Sequence, residues 1–288
     1  MHKQVDINIQ GRDFVVGDIH GCWSLVEQFL EFVEFNTSKD RLFGCGDLVD
    51  RGPDNVKCLD LLYQPWYHQV GGNHEEMTVE YFSGGPSGIY LSNGGLWAQE
   101  HRTANNDESV FVQGAVLDVM AKLPFIITVP MQNGKCFHII HAEFGINFPF
   151  FDEDLHDDYF QAQLKMQTAR DGLFLRWGRH LFFPLYMQVM DGRNIAKYQK
   201  WYEMNKCGDM FNDKLSHIYC GHSIVRQPTR VAGQTNLDTG AFLAYQKSAY
   251  SDRIINPWAG LTFTEPATDR FWTSRLDGVT ETQLLTLI

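Results

Sequence analysis

The chain has 288 residues, 44% apolar, 14% aromatic and 20% charged, which suits a folded protein with a sizeable core and excludes a disordered or fibrous chain. Lys and Arg number 24 against 35 Asp and Glu, so the formal charge is −11 and there is no bulk basic face for nucleic-acid backbone. The best apolar run, residues 123–130, falls far short of the ~20 residues of a spanning helix, so neither nucleic acid nor a membrane is an expected partner.

In chain order, residues 14–16 (Phe-Val-Val) predict a short buried strand ending at Gly17. Residues 23–35 predict a helix, with Leu25, Val26, Phe29, Leu30 and Val33 at helical spacing. Residues 41–45 repeat the strand and 54–64 the helix. Residues 69–70 lead into Gly71-Gly72-Asn73-His74, and 75–82 look helical. Successive β-α units of this kind imply an α/β core with partly parallel strands. Residues 83–95, rich in Gly, Ser and Pro, predict a loop, and 110–123 an amphipathic helix.

After Pro124 the texture changes. Residues 125–131 and 136–141 predict two strands joined by Gln132-Asn133-Gly134-Lys135, where Asn-Gly suits a hairpin turn with positive φ. Further short strands are expected at 218–220, 229–231, 234–237, 241–245, 261–264, 271–275 and 283–288. The segment 150–213 is acidic, then aromatic, and has no clear period. Residues 1–6 carry no apolar segment behind Lys3, so no secretory signal is expected. The six cysteines, with no CxxC pair among them, read as reduced thiols, and the expected location is the cytoplasm.

Three glycine-bounded clusters follow the three early strands: Gly17-Asp18-Ile19-His20-Gly21, Gly46-Asp47-Leu48-Val49-Asp50-Arg51-Gly52 and Gly72-Asn73-His74-Glu75. Each lies just beyond a strand's carboxyl end, where α/β proteins place ligands. Asp18 and His20, two apart, project to the same side of an extended segment. His141 and His222 each end a later strand. Oxygen and nitrogen donors without a thiolate point to Mn²⁺, Fe or Zn²⁺. Gly-Asp-x-x-Asp-Arg-Gly alone would recur by chance about once in three million windows.

With these clusters, Pro65-Trp66, Asn93-Gly94-Gly95-Leu96-Trp97, His141-Ala142, Trp177-Gly178-Arg179, Gly221-His222-Ser223 and Leu237-Asp238-Thr239-Gly240 complete a pattern. The chain resembles metallophosphoesterases of the phosphoprotein phosphatase family, and among them the bacteriophage lambda-type serine/threonine enzymes. The resemblance is weak over about 150–215 and absent over the last forty or so residues. It implies a calcineurin-like fold, α/β (α+β), with two packed mixed β-sheets flanked by helices. It also implies two divalent ions, Mn²⁺ foremost. Asp18, His20 and Asp47 would hold the first ion, and Asp47, Asn73, His141 and His222 the second. A hydroxide activated there would attack phosphorus in line, His74 would protonate the leaving group, and Asp50 would orient His74. Arg51 and Arg179 would bind phosphate oxygens. The substrate would be a phosphorylated protein or a small phosphoester.

Relatives usually carry Arg-Gly-Asn-His-Glu where this chain has Gly71-Gly72-Asn73-His74-Glu75, so one phosphate-binding guanidinium is missing. Arg170, Arg176 or Arg193 would supply it, or monoester binding is weaker. A diester or polyphosphate substrate is the third option. Symmetrical dinucleoside tetraphosphate hydrolysis, or phosphodiester hydrolysis, is therefore the alternative function, although Asp50 argues against the former. Glu143 reads as a solvated rim carboxylate. His141 and His222 are 81 residues apart (222 − 141). We expect one metallophosphoesterase domain over 1–288, with a helical insertion at 150–213 beside the cleft.

Overall fold

The computed structural model describes residues 2–143, 172–191, 200, 216–248 and 254–287. Among them the strands are β1 (His2–Gln4), β2 (Asp13–Val16), β3 (Arg41–Gly44), β4 (Tyr67–Gln69), β5 (Ile126–Pro130), β6 (Cys136–Ile139) and β7 (His217–Cys220). The rest are β8 (Thr229–Val231), β9 (Gln234–Asn236), β10 (Leu261–Glu265), β11 (Arg270–Arg275), β12 (Gly278–Glu281) and β13 (Leu285–Thr286). They form two mixed sheets, ordered β1-β5-β6-β7-β9-β8-β13 and β12-β11-β10-β2-β3-β4. In the second sheet β2, β3 and β4 run parallel, as the early β-α units required, and β10 joins β2 antiparallel. In the first, β6 and β7 run parallel and β5 pairs β6 antiparallel through the expected hairpin, with Gly134 at φ 80° in its turn.

Val15, Phe43, Ile127, Phe137, Tyr219 and Leu237 come from both sheets and meet in one buried cluster, so the main core lies between the layers. A second core packs helix α1 (Trp23–Phe32) and helix α2 (Asn55–Leu59) against the outer face of the six-stranded sheet. Phe29 stacks on Phe263 there, ring centroids 3.8 Å apart. Because β2 and β3 are covered on both faces, their last three residues are all buried instead of alternating, which is why they read as continuous apolar runs. Further helices are α3 (Asn73–Phe82), α4 (Gly88–Ser92) and α5 (Asp107–Gly114).

Several sequence expectations change. Residues 83–95 contain the short helix α4. The helix expected at 110–123 begins at Asp107, because Asn106 caps it by accepting the Ser109 N–H at 2.8 Å; after Gly114 it loosens into a π turn and a 3₁₀ turn. The strand expected at 241–245 is a 3₁₀ helix, Ala241–Tyr245. Gly240 precedes it at φ 71°, its N–H held by Asp238 Oδ1 at 3.0 Å, and that left-handed residue turns the chain out of the strand direction. Helices Gly172–Trp177 and Phe183–Asp191, with residues 178–182 between them, lie within the expected insertion; the remainder of 150–213, apart from the single residue 200, lies outside the described residues. No helix among the described residues is long and apolar enough to cross a membrane.

Candidate metal centre and active site

Asp18 and His20 follow β2, Asp47 follows β3, Asn73 opens α3 just after β4, His141 follows β6 and His222 follows β7. All six side chains are buried and converge at the carboxyl ends of these strands. Close approach there leaves no room for side chains on two glycines: a Cβ on Gly221 would overlap Asp18 Oδ1, and one on Gly72 would overlap Asp47 Oδ1. The backbone is forced as well. His20, Asp47, Asp50, Arg51 and His222 all have φ between 47° and 76°, a conformation costing of order 1 kcal/mol for a non-glycine residue.

Two groups share Asp47. His20, Asp47 and His74 form one, Asp47, His141 and His222 the other, each with its ligand atoms within 4.8 Å of one another. His20 donates Nδ1–H to Val49 O at 3.0 Å, and His141 donates Nδ1–H to Cys45 O at 2.8 Å. Those bonds fix the tautomers and leave both Nε2 lone pairs facing the site. Burial pushes the His20, His141 and His222 imidazoles below their ordinary pKa, so they are neutral. Neutral His141 Nε2 then faces Asn73 Oδ1 at 2.9 Å, His222 Nδ1 at 3.2 Å and Asp47 Oδ1 at 3.4 Å.

Carboxylates crowd the same space. Burial, together with Asp238 and Asp47, pushes Asp18 well above the usual carboxylate range. Burial would also raise Asp47, but any proton held on the surrounding His141, His74, His20 or His222 rings favours its ionised form, and that attraction keeps the carboxyl below its ordinary value. Asp18 Oδ1, His74 Nε2 and His222 Nε2 are buried without a hydrogen-bond partner. Lone pairs facing lone pairs, and an unpartnered buried carboxylate oxygen such as Asp18 Oδ1, are what divalent cations resolve, so Asp18, His20, Asp47, Asn73, His141 and His222 fit a two-cation centre.

A buried histidine–carboxylate pair adjoins the centre. His74 donates Nδ1–H to Asp50 Oδ2 at 2.6 Å, and Asp50 Oδ1 accepts the Trp97 indole N–H at 2.6 Å. His74 Nε2 lies 3.9 Å from Asp47 Oδ2. Arg51 Nη1 is 2.7 Å from His20 Nε2, with its guanidinium 4.8 Å over the Phe242 ring. Arg179 donates from Nη1 to His222 O at 2.7 Å and Ser223 Oγ at 3.2 Å, and lies 4.7 Å over Tyr186. All ten site residues expected from the sequence thus lie in or directly beside one constellation.

Three further residues serve it. Glu75 accepts the N–H groups of Asp47, Leu48 and Gly72 at 2.7–2.8 Å, tying the second cluster to the third. Its place three residues after Gly72 is the sequence signal for a reach-back cap. Trp97 had no local signal beyond the Asn-Gly-Gly-x-Trp pattern. Glu143 is a correction: it is fully buried, not solvated, and accepts the main-chain N–H groups of His180 and Leu181. Of the arginines considered as substitutes for the missing one, Arg176 is paired with Glu76 at 2.8 Å and stacked on Phe125 at 4.7 Å, while Arg170 and Arg193 lie outside the described residues.

A family model for calcineurin-like phosphoesterases matches residues 14–226. The chain belongs to the calcineurin-like phosphoesterase family. Serine/threonine-protein phosphatase 1 of Salmonella typhimurium is 30% identical to this phosphoesterase over 250 residues, 85% of this chain and 94% of that relative. The symmetrical bis(5'-nucleosyl)-tetraphosphatase of Cellvibrio japonicus is 41% identical over only 72 residues, 24% of this chain and 27% of that relative. A solved structure described as a candidate diadenosine tetraphosphatase aligns over 98% of both chains with a TM-score of 0.57 at 19% identity, which shows a shared fold.

Proposed function

We propose that this phosphoesterase removes phosphate monoesters from Ser, Thr or Tyr side chains of proteins, with Mn²⁺ as its activating ion. The likeness to a serine/threonine-protein phosphatase over 85% of this chain supports the substrate class. The observation that carries the chemistry is the Asp50–His74 pair set against two donor groups sharing Asp47. Asp18, His20 and Asp47 would hold one divalent ion, and Asp47, Asn73, His141 and His222 the other. Such ions supply charge that activates water and neutralises phosphoryl oxygens.

The chain's own residues do the rest. Arg51 and Arg179 orient the phosphoryl group through its peripheral oxygens, since guanidinium forks match phosphate geometry. His74, held at Nδ1 by Asp50, presents Nε2 to the leaving oxygen and donates its proton there as the ester bond breaks. Asp50 keeps the charged form of that ring favourable and fixes its orientation. The burial of the site limits competing water.

We read residues 1–288 as one domain of this kind, with the 150–213 segment shaping substrate choice, and we place it in the cytoplasm, in keeping with five free cysteines among the described residues. A second reading, hydrolysis of symmetrical dinucleoside tetraphosphates, draws support from Gly71. That glycine lines a 460 Å³ cavity with Glu76, Leu123, Phe125 and Arg176. Rates on a phosphopeptide, diadenosine tetraphosphate and an aryl diester, with metal-free protein and single added ions, separate the two. A fast tetraphosphate rate with a negligible phosphopeptide rate would replace the first reading by the second.

A further inference from the structure

Glu143 has no part in the chemistry just described, yet it is a wholly buried carboxylate two residues from His141. Both oxygens are spent on main chain. Oε1 accepts the His180 N–H, and Oε2 accepts the Leu181 N–H at 2.7 Å. Next to it, Ala142 donates its N–H to Leu175 O at 2.7 Å. Three bonds therefore fasten the end of the β6 segment to the stretch of chain that carries Trp177 and Arg179. The peptide N–H that meets Oε1 belongs to the peptide unit joining Arg179 to His180, so Glu143 fixes the backbone from which the Arg179 side chain springs.

The remaining Arg179 contacts act near its tip: the guanidinium meets His222 O and Ser223 Oγ and lies over Tyr186. A long side chain gripped only at the tip would still carry the freedom of its backbone turn. An ionised carboxylate on two amides gives charge-assisted bonds, stronger than neutral ones, and burial strengthens them further. We propose that Glu143 is a positioning residue for phosphate binding: it clamps the turn at residues 178–181 so that Arg179 meets substrate oxygens in a fixed orientation. This rests on the phosphate role given to Arg179 above. Because Glu143 stands only two residues after His141, it also couples the height of the clamp to the metal centre.

The test uses the full chain loaded with Mn²⁺ and four variants: Glu143→Gln, Glu143→Asp, Arg179→Ala and the double variant Glu143→Gln/Arg179→Ala. Gln keeps the shape but presents an NH₂ group to one amide, while Asp is one methylene short. The readouts are kcat and KM for an aryl phosphate, the inhibition constant of inorganic phosphate, bound metal per chain, and amide exchange over residues 178–181. We expect Glu143→Gln to raise KM and the phosphate inhibition constant about tenfold, as loss of a charge-assisted hydrogen bond does, with kcat within about threefold and metal content unchanged. Exchange over 178–181 should speed up. The double variant should bind phosphate no more weakly than Arg179→Ala, because one residue acts through the other.

If Arg179→Ala weakens phosphate binding while Glu143→Gln behaves as wild type, only the Glu143 proposal falls. Additive losses in the double variant, or loss of metal in Glu143→Gln, overturn it too, since Glu143 would then act elsewhere. Unchanged phosphate binding in Arg179→Ala overturns the role of Arg179 and this proposal together. Should Glu143→Gln not fold, Glu143→Asp carries the same comparisons.

Discussion

Trp97 donates its indole N–H to Asp50 Oδ1 at 2.6 Å, while the other oxygen of that carboxylate holds His74. The tryptophan comes from the turn at 93–97, whose Gly94 O also accepts the Arg51 N–H at 3.3 Å. One turn thus steadies both the carboxylate that holds His74 and the backbone of Arg51. Replacing Trp97 by Phe keeps the ring but leaves a buried carboxylate oxygen unpaired. Stability should fall by about 1–3 kcal/mol in urea unfolding, and kcat by about tenfold with KM little changed.

Asp50→Asn attacks the same pair more directly. An amide holds His74 weakly and does not favour its charged form. The expected loss in kcat is on the order of 10²–10⁴-fold for a poor leaving group, the usual worth of a positioned general acid. An activated aryl phosphate, which needs little protonation, should lose far less. Equal losses on both substrates would remove His74 from the acid role.

Gly71→Arg restores the guanidinium that relatives carry. Gly71 is not in a left-handed conformation, and a Cβ there would meet only Leu123 Cβ at 3.5 Å, an ordinary contact. The variant should fold normally and lower KM for an aryl phosphate by about tenfold through one added charge-assisted contact. An unchanged KM would show that the glycine does not limit phosphate affinity.

Removal of metal should loosen the whole protein as well as silence it. Ions that bind only the folded chain stabilise it by about 2.7 kcal/mol at a hundred times their Kd, so chelation should lower Tm by roughly 5–10 °C. Titration of Mn²⁺ into the chelated protein should restore Tm and reach two ions per chain. Asp47→Asn, which alters the residue common to both groups, should reduce both occupancies.

Acid sensitivity has a separate source at Asp40. Burial acts to raise this carboxyl, but the Arg12 guanidinium at 2.7 Å and the main-chain N–H groups of Arg12 and Asn36 outweigh it and hold it below the ordinary range. A pKa lower in the folded chain than in the unfolded one gives stability that is full above about pH 4 and is lost as pH falls through the folded value. Asp40→Asn should cost about 1 kcal/mol at neutral pH and flatten the unfolding free energy below pH 4.

The convergence of Asp18, His20, Asp47 and Asn73 was legible because each sits in a short cluster just past a strand, where sequence neighbours are also neighbours in space, whereas His141 and His222 stand alone and gained weight only from the family resemblance. Asp18 with His20, and Asn73 with His74, needed no tertiary knowledge to be paired. Glu143 was misread for the opposite reason: its partners, His180 and Leu181, are far along the chain, and a lone Glu after a strand looks like rim. The turn at 241–245 was misread because five apolar residues look alike in a strand or a 3₁₀ helix; the Gly240 conformation decided it, and dihedrals are not written in composition.

His141 and His222 hang from one sheet, whereas Asp18, His20, Asp47 and Asn73 hang from the other. The six groups therefore act as a caliper on the spacing of the two layers. That spacing is set by interlayer filling such as Phe43 against Phe137, whose rings meet edge to face with centroids 6.0 Å apart. Trimming either ring would let the layers settle and throw the caliper out of true, so activity should decay with distant core volume even where no active-site atom is altered. Helices on the outer faces bear no such constraint and are free to drift as sequences diverge.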